Sequence, residues 1–337
     1  MFPEFTPGGP AGLAPGTLVA GYRLEGQVGA GRTGVVYRAR DERLGRAVAL
    51  KLLAAGLAGD GQFRERFIRE SQAAAAVGHP NILPVYEAGL AGDVLFVSMR
   101  LVTGDLERVL RQEGALAPAR AAGFVTAVAS ALDAAHAAGL VHGAVKPGSV
   151  LLEAQLGWPE HAYLSDFGLG QGAMSQSGPA GTAPIAPAPE YSAPEQVTGR
   201  MVDGRADQYE LACVAFALLA GTPPFAGDDP RAVLWSHASE PPPLLSSRRP
   251  GFPPAADQVL IRALAKAPEE RYGGCQEFAA ALRQALGLAP SSEHMNVTPC
   301  SRSLKVKRAD VCVVRLAGFA PIEGTGTRLV RFAWRLA

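Results

Sequence analysis

Three glycines at fixed spacing, Gly29, Gly31 and Gly34, sit in the stretch Gly29-Ala30-Gly31-Arg32-Thr33-Gly34-Val35-Val36. Backbone without side chains lets N–H groups approach phosphate oxygens closely, so the first chemistry this spacing points to is a phosphate cradle. A dinucleotide site shares the pattern but needs a helix straight after the glycines. Here Val35-Val36-Tyr37-Arg38-Ala39 follows, and β-branched and aromatic residues predict a second strand. The glycines therefore close a hairpin, and a plain glycine-rich hairpin with no ligand remains the alternative for this motif taken alone. Cysteine chemistry is a weaker candidate. Cys213, Cys275, Cys300 and Cys312 make no CxxC pair and no metal-type spacing with histidine, which fits a reducing cytosol better than a disulfide framework.

The elements around the glycines divide the chain in two. Strand-like runs at 22–28, 34–39 and 47–53 lead into a helical stretch at 62–77, with charges early and alanines late. Strand-like runs return at 82–87 and 94–100. After Gly104 the pattern turns helical, with an alanine-rich helix over 118–139 and further helices over 207–219, 255–266 and 275–286. Residues 2–16 are rich in Pro and Gly and predict a flexible tail. The stretch 172–190 is low-complexity Ser, Gly, Ala and Pro and predicts a mobile loop, in which Ser175, Ser177 and Thr182 are accessible to an active partner kinase.

Bulk properties exclude several classes. With 337 residues, 48% hydrophobic and 19% charged, the chain has ample material for a core. Its net charge of +1 gives no electrostatic case for nucleic acid or a membrane surface. The longest apolar run, 211–221, is about half of the ~20 residues a membrane span needs. No signal peptide is evident, so a cytoplasmic location is expected. Residues 288–337 carry eight Lys or Arg against three acids and form a basic extension, either a docking segment or a solvated tail.

Taken in order, further motifs resemble those of protein kinases. Val48-Ala49-Leu50-Lys51 is similar to the V-A-I-K strand, and Glu70 lies where the family keeps a helix glutamate ahead of His79–Leu83. Asp166-Phe167-Gly168 matches D-F-G, and Ala193-Pro194-Glu195 matches A-P-E. Asp207-Gln208-Tyr209, Gly221–Phe225 and Arg262–Tyr272 resemble later stretches of bacterial serine/threonine kinases. The resemblance covers about residues 17–287. It implies an α+β, two-lobed kinase fold: a small antiparallel β lobe with one helix (17–101), a larger mainly helical lobe (105–287), a tail over 1–16 and the extension from 288.

The resemblance also implies roles. Lys51 would hold the α- and β-phosphates of ATP and pair with Glu70; Asp166 would hold Mg²⁺. Adenine would lie between Val36 and Ala49 above and Leu151 below, bonded to backbone at Arg100 and Val102 beyond a gatekeeper-like Met99. Glu195 would pair with Arg271.

One loop departs from the family. Where H-R-D-x-K-x-x-N is expected, the chain reads His142-Gly143-Ala144-Val145-Lys146-Pro147-Gly148-Ser149. Lys146 keeps the frame. Ala144 stands in place of the aspartate that accepts the substrate proton, a contribution of ~10²–10⁴-fold. Ser149, in place of a metal-binding asparagine, leaves a hydroxyl as a possible second metal ligand. Gly143 removes the arginine that reads a phosphorylated loop, and Ala188 stands where a threonine would contact the missing aspartate. The expectation is an ATP-binding pseudokinase that signals through protein partners, such as an active kinase or a phosphothreonine-reading domain. A slow serine/threonine kinase and a nucleotide-free scaffold are its rivals.

Overall fold

The structure is a computed structural model and describes residues 12–31, 33–54, 61–154, 160–168 and 188–290. Ser175, Ser177 and Thr182, most of 172–190, Cys300, Cys312 and the basic residues of the extension lie outside them.

The first half is a six-stranded antiparallel sheet. Its strands are β1 (Leu18–Val19), β2 (Tyr22–Gly31), β3 (Gly34–Asp41), β4 (Arg46–Leu53), β5 (Val85–Ala91) and β6 (Val94–Met99), in the order β1-β2-β3-β4-β6-β5. Alternation builds it: in β3 the side chains of Tyr37, Ala39 and Asp41 are buried while Arg38 and Arg40 face out. Tyr22, Leu24, Tyr37, Val48, Leu50 and Leu52 pack on one face. Helix α1 (Gly61–Val77) covers the other with Phe63 and Phe67, four residues apart on one edge, against Leu53, Leu95 and Val97.

The second half is mainly helical, apart from a small sheet of β7 (Gly104–Asp105), β8 (Val150–Glu153) and β9 (His161–Leu164). Its helices are α2 (Leu106–Glu113), α3 (Pro118–Ala137), α4 (Pro194–Val197), α5 (Gly204–Ala220), α6 (Pro230–Ser239), α7 (Leu245–Arg248), α8 (Pro254–Ala263) and α9 (Cys275–Ala285). Apolar on all sides and buried from Ala206 to Leu219, α5 is the post around which the others pack. Asp203 caps its start by accepting from the Arg205 N–H, and Gly221 ends it in the left-handed region at φ 84°. This is the two-lobed α+β fold the motifs imply. No described helix is long and apolar enough to cross a membrane.

Three features differ from the sequence expectation. Residues 12–16 are not a free tail: the Leu13 N–H donates to the Tyr37 hydroxyl (2.9 Å) and the Gly16 N–H to the Leu24 carbonyl (2.7 Å). The strand expected from Ile82 starts at Val85. Ile82 instead makes a parallel bridge to Leu164, and the Leu83 N–H donates to the Leu164 carbonyl (2.9 Å), which ties the two halves together. Helices α2 and α6 had no counterpart in the periodicity.

Candidate nucleotide-binding site

Between the halves lies a cleft of about 490 Å³. Its roof is the β2–β3 hairpin, where Gly31 pairs with Gly34. The three glycines do different work. A side chain at Gly34 would sit 2.1 Å from the Leu52 carbonyl oxygen, so only glycine lets β3 lie this close to β4. Gly29 and Gly31 have nothing within 4 Å of where a Cβ would stand, so their backbone faces open space above the cleft.

The inner end is apolar. Ala49, Leu83, Met99 and Tyr163 form a buried cluster, with Val36, Leu101, Val102 and Leu151 half-buried against it. A flat heterocycle fits between Val36 and Ala49 on one side and Leu151 on the other. Beside it runs the strand end after Met99. The Arg100 N–H is taken by the Pro84 carbonyl (2.9 Å), but the Arg100 carbonyl and the Val102 N–H have no backbone partner among the described residues. An adjacent acceptor and donor left open at the edge of an apolar slot is what a purine edge can satisfy. The Arg100 side chain is held away by a two-pronged bond to Glu153 (2.9 and 3.0 Å).

Further along, Lys51 projects from β4. Its ammonium donates to Asp166 Oδ1 at 2.7 Å, and Lys51 is only 5% exposed. The expected Lys51–Glu70 pair does not form. Glu70 packs its Cβ under Gly168, and burial pushes its carboxyl above the ordinary value against the pull of Arg66 and Arg69. Helix α1 is thus set so that the cation meets the D-F-G carboxylate instead. Burial alone would raise the Asp166 carboxyl; the Lys51 charge outweighs it and holds the group below its usual value. Asp166 adopts φ 70°, a strained setting for a residue with a side chain.

The floor is the loop 142–149, and Asp207 at the start of α5 shapes it. One carboxylate oxygen accepts from the Gly143 N–H (2.6 Å); the other accepts from the His142 N–H (2.9 Å) and bonds His136 Nε2 (2.6 Å). His142 is fully buried. Its Nε2 donates to the Ser165 carbonyl (2.7 Å) and its Nδ1 accepts from the Ala144 N–H (3.2 Å), so the ring is neutral, and burial lowers its pKa accordingly. Glu210, one turn further along α5, accepts from the Val145 N–H (2.6 Å) and from Gln196 Nε2 (2.8 Å). Gln196 also donates to the Gly143 carbonyl (2.9 Å), linking the loop to the segment before α4.

This framework surrounds a chemically blank spot. Ala144, Ala188, Gly148 and Val145 line the outer end, and no free carboxylate faces it. Lys146 lines it as well and has no ion-pair partner among the described residues. Ser149 does not serve as expected. Its hydroxyl is fully buried, donates to the Lys146 carbonyl (2.8 Å) and accepts from the Lys146 N–H (3.1 Å), closing its own turn instead of facing the cleft. Of the residues expected to hold Mg²⁺, only Asp166 offers an oxygen there. Below, Arg271 clasps Glu195 at 2.7 and 2.8 Å, both buried, as the motif spacing implied. Sequence reasoning missed the loop-holding roles of Asp207 and Glu210; a buried carboxylate on a helix apolar on all sides was the available signal.

Comparison with known proteins agrees with this geometry. A family model described as the protein kinase domain matches residues 22–284. Serine/threonine-protein kinase PknJ of Mycobacterium tuberculosis is 41% identical over 276 residues, covering 81% of this chain and 47% of the relative. Serine/threonine-protein kinase PknE of Mycobacterium bovis is 39% identical over 304 residues, 88% of this chain and 52% of the relative. The chain therefore spans about half the length of these curated relatives. Among solved structures, the Mycobacterium tuberculosis PknI kinase domain superposes with a TM-score of 0.68 at 38% identity, covering 82% of this chain and all of that one.

Proposed function

The chain belongs to the protein kinase family, among the bacterial serine/threonine kinases, and from that premise we propose that it is a nucleotide-binding pseudokinase. It binds ATP between its lobes and acts through its shape on protein partners, with phosphoryl transfer lost or severely reduced. One observation carries this: the loop 142–149 keeps its full backbone framework around Asp207, yet presents the Ala144 methyl where a carboxylate would have to orient an acceptor hydroxyl. The nucleotide end keeps its parts: glycines 29, 31 and 34, Lys51, Asp166, and the open backbone at Arg100 and Val102.

A slow kinase is the second possibility, supported by Lys146, which stands free in the cleft. Phosphoryl transfer depends mostly on positioning and electrostatics, so a rate can persist without a base. Two measurements test the proposal. Saturation with ATP at 100 times its dissociation constant should stabilise the fold by ~2.7 kcal/mol, and Lys51→Met should remove the shift. A sensitive phosphotransfer assay should then find no turnover above the Lys51→Met blank. Robust Lys51-dependent transfer would mean a kinase; no thermal shift in either protein would mean a scaffold without nucleotide.

A further inference from the structure

We infer that the cleft takes its nucleotide without needing a divalent cation, and that Asp166 opposes nucleotide binding where a metal-bridged site would use it to attract. This rests on the nucleotide-binding proposal above. Mg²⁺ demands near-octahedral order from hard oxygens, which phosphate sites supply from one or two carboxylates together with phosphate and water. The donor set here falls short of that. The Ser149 hydroxyl is buried and bonded both ways to the Lys146 backbone. Asp166 remains, with Oδ1 already on the Lys51 ammonium at 2.7 Å.

Nor does another carboxylate lining the cleft take over. Asp105 Oδ1 caps α2 through the Arg108 N–H (2.7 Å). Both oxygens of Glu210 are engaged, by Val145 and Gln196. Glu107 is exposed and lies 3.7 Å from Arg111. Glu70 sits on α1 and does not line the cleft.

The cations fit phosphate better than a metal does. Lys51 stands at the inner side and Lys146 at the outer side, with the open hairpin backbone above. When phosphates enter, the Lys51 ammonium turns from a carboxylate to a phosphate, both hard anionic acceptors. Asp166 is then left facing the same phosphates as a like charge, with no metal between them. One substitution thus has opposite signs in the two arrangements. In a metal-bridged site, loss of the Asp166 charge weakens binding. In a metal-free site it removes a repulsion and frees Lys51 beforehand.

Calorimetric titration of the full chain with ATP, in excess Mg²⁺ and in EDTA, tests this. Wild-type affinity should agree within about threefold between the two buffers, because the ion gains only one protein ligand. Asp166→Asn should tighten ATP binding in EDTA by several-fold, on the order of tenfold at most for one partly exposed charge. Tightening of the wild type by Mg²⁺ beyond tenfold, abolished in Asp166→Asn, would overturn the inference and leave nucleotide binding standing. ATP binding in neither buffer would remove the nucleotide-binding proposal as well. The wild-type comparison needs no variant, so a poorly folded Asp166→Asn protein still leaves a decisive result.

Discussion

The two ends of the cleft are built with similar care and equipped very differently. At the inner end, side chains do the work: an apolar slot, a buried ammonium and a carboxylate in a strained backbone setting. At the outer end, the care is all in the backbone. Asp207, Glu210 and Gln196 hold the N–H and C=O groups of residues 142–145 in place, while the side chains they present, Gly143 and Ala144, have nothing to offer a reacting group. Shape and chemistry are therefore separable here, because different atoms carry them.

The widest separation comes from restoring chemistry to the outer end. Ala144→Asp alone should give little phosphotransfer. The new carboxylate would lie close to buried Glu210, which accepts from the adjacent N–H, and burial together with the charge of Asp207 already pushes the Glu210 carboxyl far up. Ala144→Asp with Ser149→Asn and Ala188→Thr should restore clear, Lys51-dependent transfer, on the order of the 10²–10⁴-fold a positioned base contributes. The single and triple variants are compared with wild type, each against a Lys51→Met blank. A triple variant that binds ATP and stays inert would show that the outer end lacks more than side chains.

The framework itself is tested next. Arg271→Ala leaves the Glu195 carboxylate buried and unpaired, and orphans four backbone carbonyls that Arg271 now serves. Loss of one partner of such a pair costs ~3–5 kcal/mol. Denaturant titration should show a midpoint lowered accordingly, without a change in slope. A shift below ~1 kcal/mol would mean the pair behaves like a surface bridge.

A smaller effect should appear with pH. His237 lies buried on α6 against Tyr209, and burial, aided by the Lys266 charge, lowers its pKa from 6.5 to about 4. A neutral imidazole in the fold and a protonatable one in the unfolded chain make stability full above about pH 6.5 and progressively lost as pH falls toward 4. The loss should reach at most ~3 kcal/mol. His237→Phe should flatten that part of the stability–pH curve, measured by denaturant melts between pH 7 and 5. An unchanged slope would assign the acid sensitivity to other groups, such as the depressed Asp166, which loses its contribution at still lower pH.

Much of this was legible in the residues. Alternation in β3 and the all-apolar run of α5 predicted their elements, and motif order predicted the clasp of Glu195 by Arg271. The misses share a cause. Whether Lys51 meets Glu70 or Asp166 depends on how α1 sits on its sheet, which is decided by packing of Phe63 and Phe67 and not by the identity of residue 70. Whether the Ser149 hydroxyl faces the cleft or its own turn is a choice between neighbours two or three residues apart, and a short polar side chain readily takes the local partner. Residues 12–16 looked like a tail because Pro and Gly mask the two backbone bonds that dock them.

Asp207 holds its loop by gripping backbone amides that every residue type except proline possesses. The grip does not depend on which side chains stand at positions 143 and 144, save that 143 sits at φ 67° and favours glycine. A protein anchored this way can exchange those side chains over generations without its fold weakening enough to be eliminated. Catalytic power can therefore decay while the outline seen by a binding partner endures, and the scaffold stays available for a second career.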